Sequence, residues 1–365
     1  MKKVAIVIPI YKNILCQEEI ISLNRINTIL GEFPIFYVAP YGIKDEIYKQ
    51  IMPKAKIVYF QSSFFNGFSG YNRLMTSIEF YSAFLEYMEI LICQTDVFVV
   101  SNQLMKYVSL DYDYIGAPCA KHKPWEKRLY VGNGGFSLRN VRATIKAINN
   151  GMKNNLIEGK NEDTFFSDYG ENNPKEYRIA PIDIAAQFAF DQPLGEISYY
   201  INQKKMPMAI HGWFNYDTTF TNKILSEYMP QDYSWQKKVT YKECLEKLDR
   251  FLRNNKRIIF YGAGDIGGIF YDYCQHKKIN VEGFVVSDDQ EIKKDREKQI
   301  WHLSECKILS SASVLITIFQ RYRAKGEYVD KLTENGVDEI MELDETTIFA
   351  VEDYLLKNTI NNDGI

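Results

Sequence analysis

Short, strongly apolar runs alternate with stretches of helical period along this chain, and that alternation constrains its fold more than any other feature. Residues 4–9 are a continuous apolar, mostly β-branched run that closes on Pro9. Such a run suits a strand buried on both faces of a parallel sheet, because a half-exposed strand would alternate apolar and polar positions. A helical stretch near residues 18–29 leads to a second apolar run at 35–39, and residues 56–60 form a third short strand. Residues 72–87 again have helical spacing, with Leu74, Ile78, Phe80 and Phe84 near one face. Residues 90–93 are a further buried strand that runs into Gln94-Thr95-Asp96. Strands interleaved with helices predict an α/β fold.

From about residue 111 to 213 the sequence is irregular and rich in Gly, Asn and Tyr, the composition of functional loops on a rigid frame. Residues 241–253 read as an amphipathic connecting helix. A second α/β unit then opens with a strand at 258–261, the run Gly262-Ala263-Gly264-Asp265-Ile266-Gly267-Gly268 and a helix; strands at 281–286 and 314–318 follow. After about Thr347 the tail is expected to be a short helix with a frayed polar end. A length of 365 residues fits two domains. The expected division is a first domain over 1–235, a connector helix over 236–256, a smaller domain over 257–346, and a C-terminal helix and tail over 347–365.

Composition excludes several classes. With 46% hydrophobic and 25% charged residues the chain is neither disordered nor fibrous. A net charge of -3 gives no electrostatic reason for a nucleic-acid partner. The six cysteines form no C-x-x-C pair, which excludes zinc ribbons and thioredoxin motifs and suits free thiols in a reducing compartment. The N-terminal apolar run is short, contains Pro9 and leads to Tyr11-Lys12, so it reads as a strand rather than a signal peptide. No run of about 18 apolar residues exists to cross a membrane. These features predict a cytoplasmic protein, with contact at the inner face of the membrane left open. Aromatic residues reach 14%, with 26 Tyr and 22 Phe. They suit either a surface for sugars and bases or an aromatic-rich core.

Four segments are candidates for chemistry. Asp96 follows a buried strand and so stands at the carboxyl edge of a sheet, where open α/β sheets bind ligands; taken by itself it reads first as a solvated turn residue. Residues 131–139 contain Gly132, Gly134 and Gly135, which let a ligand approach the backbone, although Asn133-Gly134 is also a hairpin signal. Glu162-Asp163 precede Phe165-Phe166, a pattern that suits a general base or, alternatively, a helix N-terminus. His211 lies beside Gly212 and Trp213 as a metal or phosphate ligand or a structural residue.

Taken in order, Tyr71-Asn72-Arg73-Leu74, Ile92-Cys93-Gln94-Thr95-Asp96, Tyr114-Ile115-Gly116-Ala117-Pro118, residues 131–139, Glu162-Asp163-Thr164-Phe165-Phe166 and His211-Gly212-Trp213 resemble a family of bacterial glycosyltransferases with a GT-A-like nucleotide-diphospho-sugar fold, formerly a domain of unknown function (DUF5672-like). The resemblance covers roughly residues 1–220. It implies transfer of a sugar from a nucleotide-sugar donor to an acceptor hydroxyl on a glycan or lipid-linked glycan, in cell-surface polysaccharide or glycoconjugate synthesis. Asp96 would match the last acidic residue of the D-x-D metal motif and His211 the late metal or diphosphate ligand, with Mn or Mg as the divalent cation. Gln94 departs from that motif, because an amide is a poorer cation ligand than a carboxylate. Gln94, Thr95, Asp96, Asn72, Arg73, Gly134, Gly135 and Trp213 would line the donor site, and Asp163 with Glu162 would supply the catalytic base. A base that only removes a proton implies inversion at the anomeric carbon. Lys121, Lys123, Arg128 and Arg139 are basic candidates for the leaving diphosphate. Tyr71, Tyr114, Tyr130, Phe165, Phe166 and Trp213 lie in or beside these segments, where stacking on a base or sugar would use them.

The second unit resembles Rossmann-like modules fused to polysaccharide-synthesis enzymes. Gly262, Gly264 and Gly267 complete a G-x-G-x-x-G between a strand and a helix, and Asp288 lies 24 residues after Gly264, near the place of a ribose-binding acid. The module binds NAD or another nucleotide, or it serves packing alone. Two other readings of the whole chain stand beside the transferase: an NAD-dependent sugar-nucleotide enzyme built on this unit, and a non-catalytic sugar-nucleotide-binding protein.

Overall fold

The computed structural model describes residues 2–120, 129–255, 257–292, 298–319 and 326–363. Lys121, Lys123 and Arg128 lie outside the described residues. The fold is α/β, and the chain divides into two compact units. One holds Met1–Cys119 and Leu129–Asn215, and the other holds Tyr216–Ile365 together with Ala120.

The strands of the first unit are β1 (Lys2–Pro9), β2 (Ile35–Pro40), β3 (Lys56–Phe60), β4 (Tyr87–Cys93), β5 (Val97–Val99), β6 (Tyr114–Ile115), β7 (Pro118–Ala120), β8 (Leu129–Val131), β9 (Phe136–Asn140), β10 (Ala189–Asp191) and β11 (Ala209–His211). The main sheet has the order β3-β2-β1-β4-β9-β6. Its first four strands are parallel, and β9 runs antiparallel to β4 and β6. The apolar run in β1 is buried on both faces, as its lack of alternation predicts. Ile6 and Ile8 pack with Leu23, Ile26 and Leu30 of the helix Gln17–Leu30. Ala5 and Val7 face Phe80, Phe84, Phe165 and Phe166 on the other side. A small second sheet, β10-β11-β5, joins β10 and β11 in parallel and β11 and β5 antiparallel.

Two sequence expectations are corrected here. Residues 72–87 do not form one helix: Gly67–Met75 and Ile78–Ser82 are separate, and Tyr87 opens β4. Thr76 Oγ1 donates back to the Asn72 carbonyl, while Ser77 Oγ accepts from Phe80 N, so one hydroxyl closes the first helix and the other caps the second. Nor is the stretch 111–213 mainly loop. It contains the helices Val141–Lys153, Glu162–Asn172, Ile182–Phe188 and Gly195–Ile201. In Val141–Lys153 the buried positions are Val141, Thr144, Ala147, Ile148 and Gly151, a helical stripe in which small and polar residues mask the apolar period.

The second unit is built on β12 (Ile258–Tyr261), β13 (Gly283–Val286), β14 (Gln299–His302), β15 (Ser313–Ile316) and β16 (Ile340–Glu342). All pairings are parallel, in the order β14-β13-β12-β15-β16. The expected short terminal helix is longer, Glu345–Asp363. Its Ile348 and Val351 share a core with Leu248 and Leu252 of the helix Tyr241–Asn254, so tertiary packing sustains its early turns.

Candidate active site

Three strand registers assemble the site. Cys93 of β4 pairs with Phe136 of β9, and beyond that pair Gln94 N donates to the Gly135 carbonyl at 2.9 Å. In the small sheet His211 pairs with Val97, which sets it beside Asp96, the residue before Val97. Asp191 pairs with His211 on the other side. Residues separated by more than a hundred positions thereby meet at one edge of the main sheet, beyond the carboxyl end of β4.

The imidazole of His211 is the centre of this group. Its Nδ1 lies 2.7 Å from Asp191 Oδ1 and 3.0 Å from Asn133 Nδ2. Its Nε2 lies 3.0 Å from Gln94 Oε1 and 3.3 Å from Asp96 Oδ1. Burial opposes a charge on the ring, but Asp96 and Asp191 outweigh it and hold His211 well above its ordinary pKa. Burial likewise opposes the charge on Asp96, whose carboxyl is nonetheless held below its usual range by His211. Asn215 Nδ2 donates to the other Asp96 oxygen at 3.0 Å.

The Gly134-Gly135 turn is wedged between two side chains. A Cβ on Gly135 would collide with the His211 ring, and one on Gly134 with the Glu162 carboxylate. Close approach, rather than the hairpin alone, therefore requires glycine at both positions. Beneath the turn lies Arg139, fully buried. It donates to Ser137 Oγ at 2.9 Å and to Tyr81 OH at 2.8 Å, and it pairs with Glu162 at 2.9 Å. Burial pushes Glu162 up to about 7 against the pull of Arg139. Asp163, next along the helix Glu162–Asn172, accepts from Thr164 N at 2.7 Å, and burial raises its carboxyl also. Burial raises the Tyr130 phenol, and the charges of Asp163 and Asp191 add to that rise.

The predicted residues divide clearly. Gln94, Asp96, Gly134, Gly135, Glu162 and His211 come together. Asp163 joins them through the first turn of its helix. Asn72 borders the group by accepting from Glu162 N at 2.9 Å. Thr95 instead donates to Glu19 at 2.9 Å, and Arg73 is exposed and donates to the Ser63 carbonyl at 2.8 Å. Trp213 is fully buried, with its indole N–H on Ser22 Oγ at 2.8 Å. The expectation that the neighbouring aromatics stack on a ligand is corrected for Tyr114, Phe165, Phe166 and Trp213, which are core residues. Tyr114 and Phe166 pack on each other and beneath the Arg139 guanidinium. The sequence reading missed Asp191, Asn215 and Tyr81. Asp191 ends a short Ala-Phe-Asp strand, the same signal that marked Asp96.

Among the described residues, no group of three or more His, Cys, Asp or Glu side chains is placed to hold a metal ion. One carboxylate, one imidazole and one amide do converge, in Asp96, His211 and Gln94. Neighbouring oxygen or nitrogen donors around an octahedral ion at about 2.1 Å stand roughly 3 Å apart. The 3.0 and 3.3 Å separations from Nε2 match that spacing, and apart from its ion pair with the His211 ring the buried Asp96 Oδ1 has no hydrogen-bond partner among the described residues. The set fits a small hard cation that takes its remaining ligands from phosphate and water, rather than one held by an all-protein cage.

In the second unit, Gly262 has φ +113° and the helix Asp265–His276 starts after Gly264. A Cβ on Gly264 would meet nothing within 4 Å, whereas one on Gly267 would strike the Gly262 carbonyl. Asp288 accepts from Ser304 N and Oγ, both at 3.0 Å.

Residues 54–211, fewer than half of the chain, match a family model described as a protein of unknown function (DUF5672). No curated protein matches. Among solved structures, the chain is similar to the apo form of the glycosyltransferase GlyE from Streptococcus pneumoniae TIGR4, at 11% identity and a TM-score of 0.40, over 100% of this chain and 99% of that one. It is similar to core-mannan synthase A from Aspergillus fumigatus in its Mn/GDP form, at 10% identity and a TM-score of 0.37, over 47% of this chain and 70% of the other. It is also similar to mouse xyloside xylosyltransferase 1, at 10% identity and a TM-score of 0.37, over 57% of this chain and 97% of the other. Similarity at this level bears on neither substrate nor mechanism.

Proposed function

We propose that the first unit is a GT-A-like glycosyltransferase domain that moves a sugar from a nucleotide-sugar donor to an acceptor hydroxyl. The observation that carries this reading is the convergence of Asp96, His211, the Gly134-Gly135 turn and the acidic start of Glu162–Asn172 at the carboxyl edge of a mostly parallel sheet. Open α/β sheets bind ligands at that edge, and these residues have the chemistry of both halves of a displacement.

Asp163 takes the proton of the acceptor hydroxyl as the oxygen bonds to the anomeric carbon and the nucleoside diphosphate leaves. A carboxyl raised by burial is the better base near neutral pH. One displacement without a covalent sugar–enzyme intermediate inverts the anomeric centre. Asp96 and His211, with Gln94, would hold Mn2+ or Mg2+, which when bound offsets charge on the departing diphosphate. Glu162 is committed to Arg139, so its part is to fix the helix and the glycine turn rather than to exchange protons with substrate. The acceptor is a glycan or lipid-linked glycan of bacterial cell-surface polysaccharide or glycoconjugate synthesis. The second unit is a Rossmann-like module, and the open side of Gly264 favours close approach of a nucleotide there.

The test is a thermal-shift screen of nucleotide sugars with and without Mn2+ or Mg2+, followed by transfer assays on the stabilising donor. Asp163→Asn is expected to keep the donor-induced shift and lose transfer by about 100- to 10,000-fold. Transfer at the wild-type rate in that variant rejects the base assignment. A product with the donor's own anomeric configuration rejects inversion.

A further inference from the structure

We infer that Lys12 binds the diphosphate of the nucleotide-sugar donor, in the crevice between the loops that follow β1 and β4. The inference rests on the transferase reading above and adds to it a cation that belongs to the protein itself.

The sheet order places the crevice. From β1 the chain winds outward through β2 to β3, then returns to β4 on the other side of β1. β1 and β4 are parallel neighbours, so their carboxyl ends open on one edge. A reversal of strand order between two parallel neighbours leaves a crevice at that edge, where open α/β sheets bind ligands. Lys12 stands just past the end of β1, and Asp96 just past the end of β4.

One buried carboxylate joins the two loops. Glu19, in the first turn of the helix Gln17–Leu30, is 2% exposed. Its Oε1 accepts from Lys12 Nζ at 2.8 Å and from Thr95 Oγ1 at 2.9 Å, so the ammonium and the hydroxyl meet around one oxygen. Its Oε2 accepts from Cys16 N at 3.1 Å. Thr95 stands between Gln94 and Asp96, so Glu19 holds Lys12 beside the segment that carries two of the proposed cation ligands. Tyr48 OH donates to the Lys12 carbonyl at 2.8 Å and fixes the backbone there.

The ammonium keeps capacity for a ligand. It carries three N–H donors, of which Glu19 takes one. The Lys12 side chain is 43% exposed while that of Glu19 is buried, so the crevice meets the ammonium rather than the carboxylate. Arg139 is the opposite case among the basic residues expected to meet the diphosphate. It is fully buried and engaged with Ser137, Tyr81, the Gly134 carbonyl and Glu162. A departing diphosphate gains negative charge, and a fixed ammonium in contact with it offsets that charge.

The experiment first measures, by calorimetry with Mn2+ present, the affinity of wild type for UDP, GDP, CDP, ADP and dTDP. The tightest of these is then the probe for the variants. Lys12→Met is expected to weaken its binding about 10- to 100-fold, the loss of one hydrogen bond between charged groups. The binding that remains is expected to respond less steeply to added NaCl, because one ion pair fewer is screened. Lys12→Met also strands the Glu19 charge, so a second variant combines it with Glu19→Gln, and circular dichroism confirms that both are folded. The double variant is expected to bind the probe as weakly as Lys12→Met, and it carries the test if the single variant does not fold. Recovery of affinity in the double variant overturns the inference, because Lys12 would then serve only to neutralise Glu19. Wild-type affinity in Lys12→Met overturns it too, as does weakened binding with an unchanged response to salt. Wild type that binds none of the diphosphates overturns the transferase reading, a result distinct from these.

Discussion

Glu89 sits inside β4, 4% exposed, and no hydrogen bond among the described residues reaches its Oε2. Burial pushes its carboxyl up to about 8, and Asp111 and Asp113 add to that. A folded pKa above the unfolded value of roughly 4.3 means that the native state binds the extra proton between those values. Linkage then requires this residue's contribution to stability to fall as pH rises through that window. Glu89→Gln is therefore expected to raise the melting temperature more at pH 8 than at pH 5, in calorimetry at matched ionic strength. An equal effect at both pH values would contradict it. Arg139 and Glu162 are the opposite case. Both are buried, but each answers the other, so removing one alone would strand a charge at a cost of about 3–5 kcal/mol.

The helix Glu162–Asn172 shows how one element ties the acidic segment to the rest. Its N-cap residue Asn161 makes no side-chain cap, and the Glu162 N–H is taken instead by Asn72, ninety positions earlier in the chain. A helix end left without such a partner is costly. Asn72→Ala is expected to lower unfolding free energy by about 1 kcal/mol, measured by urea denaturation, and to reduce transfer by loosening Asp163. An unchanged midpoint would show that water replaces the cap. The pair Asn72 and Glu162-Asp163 stood out in the sequence as separate motifs. Their physical link is a cap across the fold, which has no fixed spacing and so leaves no signature in the chain.

At the scale of the whole molecule, each unit has its own apolar cores. Those of the first unit surround the β3-β2-β1-β4-β9-β6 sheet, and those of the second its parallel sheet. All the residues proposed for transfer belong to the first unit. Scanning calorimetry of the full chain is expected to resolve two transitions. A stabilising donor with Mn2+ should raise only one of them, because ligand binding stabilises the unit that binds. A single transition that rises as a whole would show that the units unfold as one.

The sequence by itself determined the class of fold and the position of its first strands, because the apolar period of β1, β2 and β4 is a local property of each segment. It also marked Asp96, the glycine turn, Glu162-Asp163 and His211, since acids, glycines and a histidine at strand and helix ends are visible one segment at a time. Only the tertiary structure decided how they are used. Register brought Asp191 to the far side of His211, set Gly134 and Gly135 against Glu162 and His211, and gave Glu162 to Arg139. It also turned Tyr114, Phe165, Phe166 and Trp213 from presumed stacking surfaces into core. A ring or a carboxylate is the same residue in water or in the interior; what it does is set by the dielectric and by the partner that folding places within 3 Å of it.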